Sequence, residues 1–483
     1  MLPTVVVGTL DKAAGISMQA SMRGMIAEPS GFCPRPGHGH TYATRANRPH
    51  GCLVPGCTSP RGPLPMAKNR YGVGFRLQDE LHLLRDSLGA VDAHYEALYD
   101  DLQQRLSGRR PKILASSATL SGYERQSDVL YGRTARVFPH PEPKVGEGFW
   151  SGKGEQSMRR YLAVAPRGQT IEYALDRMIV SLQRAIRELA ADPEKSAADI
   201  GVDPKHIDWL ISFYGTDVVY GNTLRDLDAV VRSGETQWED VPPPRPRVAS
   251  LTGRTVFTDV SGMLDELEQP AADFADRTHV VVGSSMMSHG VDIDRLNVMV
   301  MLGLPLTTAE FIQATARVGR TWPSLVFVVH KIGRERDASV YRTFRQFVDQ
   351  GDRFVEPIPI TNSSRRVLER TLAGLAFGRV LMMHEPEAGT SLALTRKLRD
   401  YLASRPDFEE AEVDAICAAL RFDDDRTPLL RQEVKNWYRH LMTEVLDPAN
   451  AGRFGNELGL HGGPMMSLRD VEEQVEVWGR DPS

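Results

Sequence analysis

Three groups of residues in this chain have types and spacings suited to chemistry. Asp79 and Glu80 stand together at the end of the stretch Tyr71 to Gln78, with His82 two residues on. A strand that ends in two carboxylates can hold Mg²⁺ through the first and polarise an attacking water through the second. The pair alone is a weak signal, because adjacent acids are common on solvated faces. The second group is Glu310, Gln313, Arg317 and Arg320. Offsets of three, seven and ten residues predict that all four share one face of a helix ended near Gly319. The third group lies in residues 31–65, rich in Gly and Pro, which hold Cys33, His38, His40, His50, Cys52 and Cys57. Thiolates and imidazoles so concentrated are what a four-ligand zinc site needs. Four residues separate Cys33 from His38, and four separate Cys52 from Cys57, unlike a two-residue knuckle. A structural zinc site on Cys33, His38, Cys52 and Cys57 and a metal-free loop both remain open.

These groups need elements to hold them. The apolar runs Val280–Val282 and Val298–Leu302 predict buried strands on either side of Gly290-Val-Asp-Ile-Asp294. Ile113–Ala115 predicts a strand that delivers Ser116, Ser117, Ala118 and Thr119. Further strands are expected at Thr4–Thr9, His206–Thr216, Thr255–Val260 and Leu325–His330. Helices are expected at Asp92–Leu106 and Thr170–Ala191 and after a cap at Asn222 or Thr223, with a polar loop over Asp192–Pro204. Strands alternating with helices imply parallel βαβ units. The Pro- and Gly-rich connector after Phe138 marks a domain boundary.

The gross numbers narrow the class. Hydrophobic residues make up 41% and charged residues 25%, the balance of an ordinary globular chain. No apolar run is long enough to span a bilayer, and the N-terminus lacks the basic start of a signal peptide. Four cysteines in 483 residues do not make a disulfide framework, so a cytoplasmic location is expected. A net charge of −5 argues against a histone-like binder and leaves room for a local basic groove.

Gly290-Val-Asp-Ile-Asp followed by Gln313-Ala-Thr-Ala-Arg-Val-Gly-Arg resembles motifs V and VI of the superfamily 2 helicases. The wording Met287-Ser-His-Gly-Val-Asp-Ile-Asp-Arg-Leu-Asn-Val is similar to the helicase of the DISARM anti-phage defence system and its relatives. The resemblance implies an α/β fold: two RecA-like parallel-sheet domains, the first incomplete, and a mainly helical C-terminal accessory domain. The expected stretches are 1–145, with the Cys/His insert at 31–65, then 146–345 and 346–483. It makes Asp79-Glu80-Leu-His82 motif II, with Asp79 on magnesium, Glu80 on the water and His82 beside the nucleotide. It makes Ser117-Ala-Thr119 motif III, linking ATP to nucleic-acid grip. Arg317 and Arg320 become arginine fingers, worth roughly 10³–10⁵ in rate where that part is known. Gln313 would orient the nucleotide, and Asp292, with Gly290 permitting the turn, would relay its state. Ser284 and Ser285 would meet backbone phosphate; Ser285 is shorter than the Asn that relatives often have there.

One part is absent. No Gly-x-x-x-x-Gly-Lys-Ser/Thr occurs in the 483 residues, so the loop that cradles nucleotide phosphates is expected upstream or in a partner polypeptide. The resemblance therefore implies the C-terminal portion of an ATP-dependent helicase or translocase on DNA, with RNA not excluded. ATP and Mg²⁺ are its cofactors, and an upstream-encoded Walker A half or other defence-system subunits its partners. Low ATP hydrolysis is expected from this chain alone. The alternatives are a non-catalytic nucleic-acid-binding or adapter subunit, and the remnant of a split gene.

Overall fold

The computed structural model describes residues 2–45, 48–117, 121–138, 152, 154–252, 255, 257–284, 293–393, 395–423, 425, 427–450 and 465. They form two units. One joins residues 1–136 to 357–483, and the other is residues 137–356.

The discontinuous unit carries four short strands: β1 (Tyr42–Arg45), β2 (Arg48–Cys52), β3 (Phe75–Gln78) and β4 (Lys112–Ala115). β1 and β2 pair antiparallel, and β3 and β4 pair parallel, with Leu77 opposite Leu114. Arg76, on the inner face of β3, pairs with Glu96 of the helix Asp86–Ser107. The outer face stays open: Phe75, Leu77 and Leu114 are 55%, 65% and 50% exposed.

Residues 346–483 were expected to form a domain of their own. Instead, residues 346–356 belong to the second unit, and the helices from Arg365 to His440 share a core with the start of the chain. Val91, Tyr95, Leu98 and Leu102 of Asp86–Ser107 pack with Leu368, Leu372 and Leu375 of Arg365–Arg379 and with Trp437 and Tyr438 of Pro428–His440. The long helix buries nearly its whole circumference, so one layer of neighbours cannot cover it. Polar ties reinforce the joint. His94 Nδ1 bonds the Thr371 hydroxyl at 2.7 Å and Nε2 the Asn362 carbonyl at 2.8 Å. Arg379 donates to both oxygens of Glu412 and to Asp101.

The second unit is built on a six-stranded parallel sheet: β5 (Arg159–Val164), β6 (Asp217–Gly221), β7 (Val248–Leu251), β8 (Val280–Gly283), β9 (Val298–Leu302) and β10 (Ser324–Val329). The order is β5-β10-β9-β6-β8-β7, and every pairing is parallel. Interior strands β6, β8 and β9 are buried throughout, as both faces of a parallel sheet must be covered. Val219, Val282, Val300 and Val329 meet Leu175, Ile179, Leu227 and Val230 of the helices Ile171–Ala191 and Leu224–Thr236. Val218, Val281, Met299 and Val328 meet Leu267, Phe311 and Phe347 on the other face. The caps follow the sequence: Thr170 accepts from Tyr173 N and Thr223 from Asp226 N.

Several elements differ from expectation. Thr4–Thr9 forms no strand; Val5, Val6 and Val7 are 76%, 56% and 93% exposed, and a helix follows at Leu10–Ile16. Valines favour extended backbone, but a strand exists only with a partner to bond. His206–Thr216 is the helix Ile207–Tyr214, whose Ile207, Leu210, Ile211 and Tyr214 have helical spacing; the strand is β6, just after it. Thr255–Val260 leads into the helix Phe257–Glu268, and the strand before it is β7. The stretch after Asp192 is the helix Pro193–Ile200, capped by Asp192, with Pro at its start and Gly201 left-handed at its end.

Candidate ATP-hydrolysis half-sites and a Cys/His cluster

Asp79 and Glu80 stand at the carboxyl end of β3, beside the end of β4. Ser116 joins the two: its N–H donates to the Gln78 carbonyl at 2.9 Å, and its carbonyl accepts from Leu81 N at 2.8 Å. Its hydroxyl donates to Asp79 Oδ1, which also accepts from the Glu80 N–H at 3.0 Å. These two donors hold the Asp79 carboxyl below the usual carboxylate range, the hydroxyl acting more strongly. An exposed, ionised carboxylate at a strand end fits Mg²⁺, which takes one or two protein carboxylates and fills its shell with water and phosphate. Glu80 adopts a left-handed backbone, φ 51°, which a non-glycine residue rarely holds. That turn brings Glu80 Oε2 to 3.3 Å from Nδ1 of the buried His82. The structure thus gathers Asp79, Glu80 and His82 in one turn. Ser117 follows Ser116 at the end of β4, while Thr119 lies outside the described residues.

In the second unit, β9 runs to Leu302 and a loop leads to the helix Thr308–Thr315. Thr307 caps it by accepting from Glu310 N at 3.2 Å. Glu356 accepts from Thr308 N at 2.8 Å and from its hydroxyl at 3.1 Å. Glu310 is occupied by the Tyr220 hydroxyl at 2.6 Å, so it ties the helix to β6. Gln313 is buried, and its side-chain N–H group has no hydrogen-bond partner among the described residues. Such a donor costs about 1–3 kcal/mol until it meets an acceptor.

The helix ends before the arginines, which corrects the single face expected for Glu310, Gln313, Arg317 and Arg320. After Thr315 the bonds tighten: Arg317 N donates to Ala314 O at 3.1 Å and Val318 N to Thr315 O at 3.4 Å. Gly319 then turns left-handed at φ 70°, and a Cβ there would meet the Met158 carbonyl at 2.6 Å. Half-buried Arg317 and exposed Arg320 therefore stand on a tight turn, not a helix face. Edge strand β5 fixes that turn. Arg159 donates to the carbonyls of Val318 at 2.8 Å and Ala316 at 3.3 Å, and the Tyr161 hydroxyl bonds that of Thr315 at 3.1 Å.

Arg159, Tyr161 and Glu356 were not singled out from sequence, and Ser116 was named only as part of the stretch after β4. Nothing in the sequence places β5 beside β10, so the first two had no legible signal. Ser284 lies just after β8 and is half-buried. Ser285, Gly290 and Asp292 lie outside the described residues. In the discontinuous unit, Cys33, His38, Cys52 and Cys57 come together, their donor atoms all within 4.8 Å of one another.

Residues 254–321, which run from just after β7 through the arginine turn, match the helicase conserved C-terminal domain. Over 410 residues the chain is 30% identical to the DISARM protein DrmA of Bacillus paralicheniformis, covering 81% of this chain and 35% of that protein. The chain thus carries a helicase C-terminal domain and is similar to DrmA over most of its own length. It spans about a third of the length of the curated relative it matches. Among solved structures it is similar to the DUF1998 helicase MrfA bound to DNA, at 16% identity and TM-score 0.44, over 64% of this chain and 35% of that one. It is also similar to the helicase Lhr of Mycobacterium smegmatis bound to single-stranded DNA and AMP-PNP. There the values are 15% and 0.42, over 67% of this chain and 39% of that one. Among the described residues, no helix is long and apolar enough to cross a membrane.

Proposed function

We propose that this chain is the C-terminal portion of an ATP-dependent helicase or translocase acting on nucleic acid, with DNA the first substrate to test, in anti-phage defence. The observation that carries the reading is the turn after β3. An ionised Asp79 is aimed by two donors, and Glu80 follows it in a costly left-handed conformation. Strain of about 1–3 kcal/mol at a non-glycine residue persists where the surroundings enforce it, and such residues cluster at active sites. Asp79 holds Mg²⁺, which neutralises developing phosphate charge when bound. Glu80 orients and deprotonates the attacking water, and His82 fixes the Glu80 carboxylate. Arg317 and Arg320 supply positive charge to the transferring phosphoryl group, and the Gln313 side-chain N–H group, without a partner among the described residues, donates to the nucleotide. Ser117, Thr119, Ser284, Ser285, Gly290 and Asp292 couple that chemistry to the bound strand.

No Gly-x-x-x-x-Gly-Lys-Ser/Thr occurs among these residues, so the phosphate cradle comes from outside them. The same fact favours one second reading, a non-catalytic nucleic-acid-binding adapter. Nucleic-acid-stimulated ATP hydrolysis separates the two. It is measured on the 483-residue chain alone and after fusion to the N-terminal part of the Bacillus DrmA relative. The fusion is expected to hydrolyse ATP with DNA stimulation, and Glu80→Gln or Arg320→Ala to lower turnover by about 10²-fold or more. Salt-sensitive DNA binding that ignores ATP, with both variants matching the parent, would establish the adapter instead.

A further inference from the structure

We propose that Cys33, His38, Cys52 and Cys57 form a tetrahedral zinc site, with His38 binding through Nδ1, and that the metal is the core of the segment spanning residues 31–62. The spacings carry the assignment. Zinc lies about 2.3 Å from sulfur and about 2.0–2.1 Å from nitrogen, so a regular tetrahedron sets sulfur pairs about 3.8 Å apart and sulfur–nitrogen pairs about 3.5–3.6 Å apart. Cys33 Sγ lies 3.8 Å from Cys57 Sγ. His38 Nδ1 lies 3.5 Å from both Cys33 Sγ and Cys52 Sγ. All four donor atoms fall within 4.8 Å of one another. No disulfide joins these thiols, and 3.8 Å is far beyond a sulfur–sulfur bond of about 2.05 Å.

The backbone is shaped to present them. Cys33 and Gly39 form an isolated bridge, Cys33 N donating to Gly39 O at 2.8 Å. Gly37 and Gly39, at φ 81° and 58°, fold the intervening loop so that His38 returns onto Cys33. Cys52 closes β2, and a tight turn, Cys57 N to Val54 O at 3.2 Å, brings Cys57 back over it. Backbone N–H groups two residues on point at sulfur: Val54 N to Cys52 Sγ and Ser59 N to Cys57 Sγ, each 3.5 Å. Donors so placed can hydrogen-bond to metal-bound sulfur and orient it.

The segment also has little else to hold it. Its buried cluster is Cys33, Tyr42, Cys52 and Cys57, with Val54 against it. Three of those five side chains are the sulfur ligands themselves. A piece this small needs a staple beyond apolar burial. Three thiolates and one imidazole in tetrahedral array select zinc over the hard, oxygen-loving cations.

The test is elemental analysis of the full 483-residue chain, purified without chelator from zinc-sufficient medium. One zinc per chain is expected, released by a mercurial thiol reagent and detected with a chromogenic chelator. Cobalt exchanged into the site should give a thiolate-to-metal charge-transfer band. Cys52→Ser with Cys57→Ser should lower bound zinc at least tenfold. His38→Cys should keep it, and Cys417→Ala, remote from the cluster, should not change it. Wild-type protein with neither zinc nor any other metal, and with no uptake on titration, overturns the proposal, as does the double serine variant retaining full zinc. Iron in place of zinc would also overturn it. Because the wild-type stoichiometry decides, the proposal stays testable if a variant fails to fold, and it stands apart from whether the chain hydrolyses ATP.

Discussion

The two parallel sheets of this molecule differ in how they are covered. In β5–β10 the interior strands are buried on both faces, and alternate residues feed two separate apolar clusters. In β3–β4, among the described residues, only the Arg76 face is backed by a helix, while Phe75, Leu77 and Leu114 are half-exposed or more. Each of those side chains would gain on the order of 1 kcal/mol if covered. The difference teaches where each half-site finds its rigidity. The arginine turn hangs on a fully packed sheet, through Arg159, Tyr161 and Gly319. The carboxylate turn rests on local bonds, chiefly those of Ser116, and on a helix whose far side packs against the C-terminal helices.

The largest expected effect tests the covered sheet. Val300→Asp places an uncompensated carboxylate among Val219, Val282 and Val329, and should cost at least about 3–5 kcal/mol. Urea unfolding should show residues 137–356 melting at much lower denaturant. An unchanged midpoint would break the comparison.

The next effect is titratable and belongs to the other unit. Burial lowers the His94 pKa to about 4. Between about pH 6.5 and 4 the unfolded chain therefore binds the proton that the folded chain refuses. Stability should rise with pH through that window and fall by up to about 3 kcal/mol on acidification across it. His94→Gln should flatten that slope in pH-dependent unfolding of the unit holding residues 1–136. An identical slope in both proteins would show that the joint with Thr371 and Asn362 does not govern this unit's acid response.

The smallest effect sharpens the contrast. Leu77→Asp, the same kind of change on the open sheet, should cost no more than about 1 kcal/mol by thermal unfolding. A loss as large as that of Val300→Asp would mean the outer face of β3 is covered in solution.

Much was legible beforehand where burial is two-sided. Val280–Val282, Val298–Leu302 and Leu325–Val329 are continuous apolar runs because both faces of β8, β9 and β10 need covering. The same density misled at His206–Thr216, where an amphipathic helix rich in aromatic residues reads like a strand. Val5–Val7 misled in the opposite way, having strand composition and no partner among the described residues. The pair Asp79-Glu80 was visible by its chemistry, but the left-handed turn at Glu80 and the hydroxyl of Ser116 on Asp79 were not.

By itself the sequence determined the residue types for the chemistry: two carboxylates, two arginines, a glutamine, and three thiols with an imidazole. It also determined the alternation that makes a parallel sheet, because hydrophobic periodicity is a local property. The tertiary structure alone decided which distant groups meet. It seated β5 beside β10, so that Arg159 holds the arginine turn. It joined residues 365–440 to the helix Asp86–Ser107, and it brought three thiols and an imidazole separated by up to 24 positions into one cluster. Those are contacts between strands, helices and loops far apart in the chain, set by packing and hydrogen-bond satisfaction over the whole fold, and no window of sequence contains them.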